Sequence, residues 1–192
     1  MSASKSRQTD RLREIEEVAA RARQDASARL ADLGLEMGRA TDLRLVATVI
    51  TGGPVDSYPN LSVEGRRMAG TLSWPGGHPS ILFEAYDPPV RQRFSICHEL
   101  GHFYLHTNTD GPAGCNCLQG EVDVGDTPLV GDMPERDEEA DAFAGAFLLP
   151  VGVLVADLAE FGRCVAFLAE RYMVSEATVR RRIKTLERLS LC

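Results

Sequence analysis

The run His98-Glu99-Leu100-Gly101-His102 sets two imidazoles and a carboxylate side by side. On a helix, residues four apart share a face, so His98 and His102 can both reach one metal ion. Glu99 then lies one residue around the helix, beside the metal. Two imidazoles and a carboxylate suit zinc-assisted hydrolysis. The metal lowers the pKa of water to about 7, and the carboxylate accepts the proton as the water attacks a carbonyl. The chain has only 4 histidines in 192 residues, which makes a fortuitous pairing at this spacing a weak rival.

The flanks predict the helix that must carry these groups. Ile96, Leu100 and Phe103 recur at helical spacing and can bury the face beside the histidines. Pro88 and Pro89 mark the end of a loop. A helix over Val90–His106 follows, stopped at Thr107-Asn108-Thr109-Asp110-Gly111-Pro112. His106 lies about 12 Å along such a helix from His98, too far to share one ion. It reads as a helix-end group or as a partner behind the ligands.

A tetrahedral hydrolytic site needs a third protein ligand and an open fourth position. The helix expected over Glu135–Leu149 can supply it. Its core stripe should contain Ala140, Phe143, Ala144, Phe147 and Leu148. Asp137 and Asp141 fall on the same stripe, one turn apart. Asp137 is the better placed ligand, with Glu138 and Glu139 as alternatives should the register slip. Asp141 can accept a hydrogen bond from a ligating histidine. Acids are also favoured near any helix N-terminus, which is the plain rival explanation for all four.

The segments Arg91-Gln92-Arg93-Phe94-Ser95-Ile96-Cys97-His98-Glu99-Leu100-Gly101-His102 and Glu139-Ala140-Asp141-Ala142-Phe143-Ala144, ending at Leu148-Leu149-Pro150, resemble the ImmA/IrrE family of zinc metallopeptidases. The likeness runs from about Gly70 to Leu189. It implies zinc-dependent cleavage of transcriptional repressors, in mobile-element induction and in DNA-damage and related stress responses. The family's third ligand is usually a Glu four residues before the polar residue of the second motif. Asp137 stands there in this chain, a departure that shortens the ligand by one methylene.

Composition predicts a water-soluble domain. Of the 192 residues 44% are apolar, enough for a sizeable core. No apolar run of about 18 residues is present, so no transmembrane helix is expected. The first residues, Met1-Ser2-Ala3-Ser4-Lys5, have no apolar core and do not read as a signal peptide. Five unevenly spaced cysteines argue for a reducing compartment, and a cytoplasmic location is expected. The net charge of -7 disfavours general nucleic-acid affinity.

The expected fold is α+β: a small, mainly antiparallel sheet on the metal helix, with a helical C-terminal part. Residues 1–35 read as an amphipathic helix, with Leu12, Ile15, Val18, Ala19 and Ala22 on one stripe. Residues 36–150 read as a zinc peptidase core. In it Leu45–Ile50, rich in β-branched residues, reads as a strand, and Arg67–Trp74 with Ile81–Ala85 as a hairpin. Thr107–Pro134 contains no Lys or Arg and reads as a flap or connector between the ligand helices. Cys115 and Cys117 lie in it, and a thiolate from either could reach the open zinc position, although their spacing matches no standard zinc motif. Tyr104 reads as half-buried packing and His78 as an exposed turn residue.

Residues 151–192 read as a helix-turn-helix-like subdomain. Ser175 is a good N-cap for a helix that carries Arg180, Arg181, Arg182 and Lys184. That helix could enter a DNA groove. Alternatively it is a cap packing Leu168, Val174, Val179, Ile183 and Leu186 on the core, which the acidic whole favours. Two functions from different classes therefore stand side by side. One is a zinc metalloendopeptidase that cuts a protein, such as a helix-turn-helix repressor, at a limited site, with Glu99 as general base. The other is a DNA-binding transcriptional regulator with a structural or sensory zinc.

Overall fold

The computed structural model describes residues 2–63, 65–110, 115–118 and 134–192. Seven helices are seen among the described residues, α1 Ser2–Asp32, α2 Leu43–Thr51, α3 Pro89–Asp110, α4 Pro134–Leu148, α5 Val151–Phe161, α6 Val165–Tyr172 and α7 Glu176–Leu189. The strands are β1 Val55–Tyr58, β2 Ser62–Val63, β3 Arg66–Ser73, β4 Ser80–Glu84 and β5 Cys115–Leu118. The architecture is mixed α+β, dominated by helix.

The sheet runs β1-β4-β3-β2, with β5 also paired to β3. β3 is antiparallel to β2, β4 and β5, whereas β1 is parallel to β4. The β3–β4 hairpin lies where the sequence predicts it, turning through Pro75–Gly77 with His78 exposed. At the end of β4 the buried Glu84 carboxylate accepts the backbone N–H groups of Asn60, Leu61 and Tyr86, at 3.1, 2.7 and 2.9 Å. These bonds outweigh the burial that pushes its pKa up, and the group stays below its usual range.

Three elements depart from expectation. Leu43–Thr51, which contains the expected strand Leu45–Ile50, is a helix. Its buried residues Leu43, Val46, Ala47 and Ile50 follow a helical period. Asp42 caps it by accepting the Arg44 N–H, and Gly52 ends it at φ 73. The period and the two caps override the β-branched composition. α3 continues past His106 to Asp110, and the Thr107 hydroxyl back-bonds to the Phe103 carbonyl at 2.7 Å. β5 lies within Thr107–Pro134, so part of that connector joins the sheet.

α3 and α4 pack very closely. A Cβ on Gly101 would lie 2.9 Å from the Ala140 Cα, so the glycine of the first motif sets the approach of the second ligand helix. The apolar stripe of α1, Ile15, Ala19, Ala22, Ala26 and Leu30, is buried in the same core as Phe143, Ala144 and Phe147 of α4. Arg182 is buried at 2% exposure, donates to the Leu149 carbonyl at 3.0 Å and pairs with Glu16 of α1. Leu168, Val174, Val179, Ile183 and Leu186 enter this core from α6, the turn after it, and α7. Ser175 caps α7 by accepting the Thr178 N–H at 3.1 Å. No single helix among the described residues is long and apolar enough to cross a membrane.

Candidate metal centre

α3 and α4 bring His98, His102 and Asp137 to one point. One donor atom from each lies within 4.8 Å of the other two, and all three side chains are buried. The Nε2 atoms of His98 and His102 are 3.0 Å apart, and His102 Nε2 lies 3.4 Å from Asp137 Oδ1. The second Asp137 oxygen has no hydrogen-bond partner among the described residues, although the residue is only 7% exposed. A carboxylate oxygen buried in this way is costly without a cation or a donor. Two imidazole nitrogens with a carboxylate oxygen form a donor set that fits zinc. The group could hold a metal.

The ligand candidates are backed by different partners. His98 Nδ1 lies 2.8 Å from Asp141 Oδ1, which fixes the proton on Nδ1 and leaves the Nε2 lone pair facing Asp137 and His102. Asp141 Oδ2 accepts from Arg181 Nη1 at 2.5 Å. Burial pushes the Asp141 carboxyl up, but the His98 hydrogen bond and the charges of His98 and Arg181 bring it below its usual range. Burial likewise lowers the His98 pKa. The Asp141 bond and the charges of Asp141, Glu99 and Asp137 overcome that and raise it.

His102 Nδ1 faces His106 Nδ1 at 2.9 Å, and His106 Nε2 faces Glu139 Oε2 at 3.2 Å. Arg11 of α1 holds Glu139 with two bonds, at 2.8 and 2.7 Å. Glu139 is thus turned toward His106 and Arg11, and Glu138 is exposed. Burial pushes the His102 pKa down to about 4, with the neighbouring imidazoles adding to it.

Glu99 is buried on the sheet side of α3. A Cβ on Gly70 of β3 would come 2.7 Å from its Oε1, so the strand leaves room for this carboxylate only because position 70 has no side chain. Cys97 is fully buried, and burial pushes its thiol up to about 12, which leaves it inert as a ligand. Tyr104 stacks on Phe143 with ring centroids 5.6 Å apart, a packing contact. The side chains of Cys115 and Cys117 lie outside the described residues, and so does any thiolate contact from them. Sequence spacing carries no sign of Arg181 or Arg11, since each meets its carboxylate across a long stretch of chain. A groove of about 960 Å³ between α1, α4 and α7 reaches Asp137 and Asp141.

Residues 60–184 match the family model for the IrrE N-terminal-like domain, a peptidase family. The chain belongs to that family. Its members are metallopeptidases, in keeping with the likeness in the two motifs and with the His-His-Asp group. A search of curated proteins found no significant match. Among solved structures, a Mycobacterium tuberculosis transcriptional regulator has a similar fold, with a TM-score of 0.54 and 17% identity. The alignment covers 92% of this chain and 52% of that one, so the chain spans about half the length of the structure it matches.

Proposed function

We propose that this chain is a zinc metalloendopeptidase that cuts a protein substrate at a limited site. The observation that carries the reading is the buried His98, His102 and Asp137 group, with one Asp137 oxygen lacking a hydrogen-bond partner among the described residues. His98 and His102 would each offer Nε2, and Asp137 a carboxylate oxygen. Zinc bound there would polarise a carbonyl and make water more acidic. Glu99 is the general base: it would accept a proton from water and pass it to the leaving amine. Gly70 keeps its carboxylate on the sheet side, and Asp141 holds His98 in the metal-binding tautomer. The nearby sheet could hold an extended peptide by backbone hydrogen bonds. Family likeness favours a repressor with a helix-turn-helix as the substrate. The free cysteines Cys97, Cys164 and Cys192 accord with action in a reducing compartment such as the cytoplasm.

The transcriptional-regulator reading, with zinc as a structural or sensory ion, draws on the similar fold of a transcriptional regulator and on the basic α7. It is disfavoured because the α7 arginines are engaged within the chain. Arg180 pairs with Glu176, Arg181 with Asp141, and Arg182 with Glu16. Glu99→Gln separates the two functions. The variant should retain zinc and lose about 10²–10⁴-fold in cleavage rate, the usual share of a general base. Cells carrying the parent or the variant are compared by enrichment of new protein N-termini. Identical sets of new termini would sink the peptidase reading.

A further inference from the structure

We infer that Arg181 is a positioning residue of the metal centre, through which α7 holds the Asp141–His98 pair in its ligating geometry. The inference rests on the metal-binding reading of His98, His102 and Asp137. Asp141 uses both oxygens, Oδ1 on His98 Nδ1 at 2.8 Å and Oδ2 on Arg181 Nη1 at 2.5 Å. A carboxylate engaged at one oxygen can still rotate about its Cβ–Cγ bond, and one engaged at both cannot. Fixing that rotation fixes the imidazole plane, and with it the direction of the Nε2 lone pair. Asp141 also lines the same groove as Asp137. Without a cation on Oδ2 it is free to turn away from His98 into that groove.

The neighbouring arginines show why position 181 is different. Arg182 has a side chain only 1% exposed and ties α7 to Glu16 and Leu149, so its role is in the fold. Among the described residues, Arg180 pairs with Glu176 of its own helix, at 2.6 Å in solvent. Arg181 lies between these cases. Its side chain is 57% exposed, so it adds little to the core, yet its guanidinium reaches a carboxylate that is only 12% exposed. A side chain this exposed can be removed with little effect on folding. An arginine suits the task because its planar, permanently charged head gives a directed, charge-assisted bond.

The test uses the purified full chain and zinc itself. Zinc affinity is measured by chelator competition, thermal unfolding on the metal-free protein, and the His98 ring by ¹⁵N-imidazole NMR on the metal-free protein. Arg181→Met should lower zinc affinity about 10–100-fold, the usual cost of losing a partner behind a ligand. Metal-free unfolding should stay close to the parent. The His98 Nδ1–H resonance, sharp and downfield in the parent, should broaden by exchange. Arg181→Lys should restore most of the affinity, and Arg180→Met should change nothing. Unchanged affinity together with an unchanged His98 resonance in Arg181→Met overturns the inference. A fall in metal-free stability with affinity intact also overturns it, because Arg181 would then be a packing residue. If the parent binds no zinc, the metalloenzyme reading fails, while the His98 resonance still decides the role of Arg181.

Discussion

His98 and His102 sit one turn apart on α3 and face the same point, yet they are held from opposite ends of the chain. His98 meets a carboxylate directly, and that carboxylate is gripped by Arg181 of α7. His102 meets its carboxylate through a second imidazole, and that carboxylate is gripped by Arg11 of α1. One ring is backed by a full negative charge, the other by a neutral ring. Burial pushes the pKa of His102 down to about 4, whereas at His98 the Asp141 bond and the nearby carboxylate charges overcome burial and raise it. Helical spacing supplies two equivalent donors, and long-range packing makes them unequal. A histidine backed by a carboxylate is the more basic ligand, so His98 should contribute more to holding the metal.

Asp141→Asn and His106→Gln put that inequality under the greatest load. Asn at 141 removes the charge behind His98 and should lower zinc affinity about 10–100-fold. Gln at 106 can still accept a bond from His102 through its amide oxygen, and a loss of only a few-fold is expected. Chelator competition on both variants checks this. Equal losses would erase the distinction between the two arms.

A smaller effect concerns acid and has opposite signs in the two arms. In the zinc-free protein the folded pKa of His102 is about 4, below the unfolded value of about 6.5. The unfolded chain therefore binds more protons between those values, and stability contributed at His102 is lost as pH falls through that window. His98 has a raised pKa, so its contribution is fully present below the unfolded value and is lost as pH rises through the folded one. His102→Gln should flatten the acid decline in unfolding free energy between about pH 6.5 and 4, and His98→Gln should not. Urea unfolding across that range reads both slopes. A flattening in His98→Gln alone would reverse the assignment.

Much of the site is legible in local sequence because it depends on helical period. The spacing of His98 and His102, and the stripe that puts Asp137 and Asp141 on the inner face of α4, each need only one helix. Contacts between distant segments leave no such signature. Arg181 reads as one basic residue in a basic run, and its meeting with Asp141 depends on how α7 crosses α4. Arg11 reads as a solvated charge on α1 until α1 is laid along α4. The roles of Gly70 and Gly101 follow from no periodicity, since they lie in what approaches these residues, Glu99 and Ala140. The strand expected at Leu45–Ile50 fails for a different reason. Its β-branched composition suits a strand, but Leu43, Val46, Ala47 and Ile50 spell a helical face and Asp42 and Gly52 mark its ends.

In the proposed metallopeptidase, His98, His102 and Asp137 together would hold the metal, with Asp137 as the third ligand. Zinc content after dialysis, measured by atomic absorption on the parent, Asp137→Ala, Glu138→Ala and Glu139→Ala, tests it most directly. Stoichiometric zinc should remain in the parent, in Glu138→Ala and in Glu139→Ala, and should be lost from Asp137→Ala. Full zinc in Asp137→Ala with loss from Glu138→Ala or Glu139→Ala would contradict the assignment and move the third ligand to that glutamate.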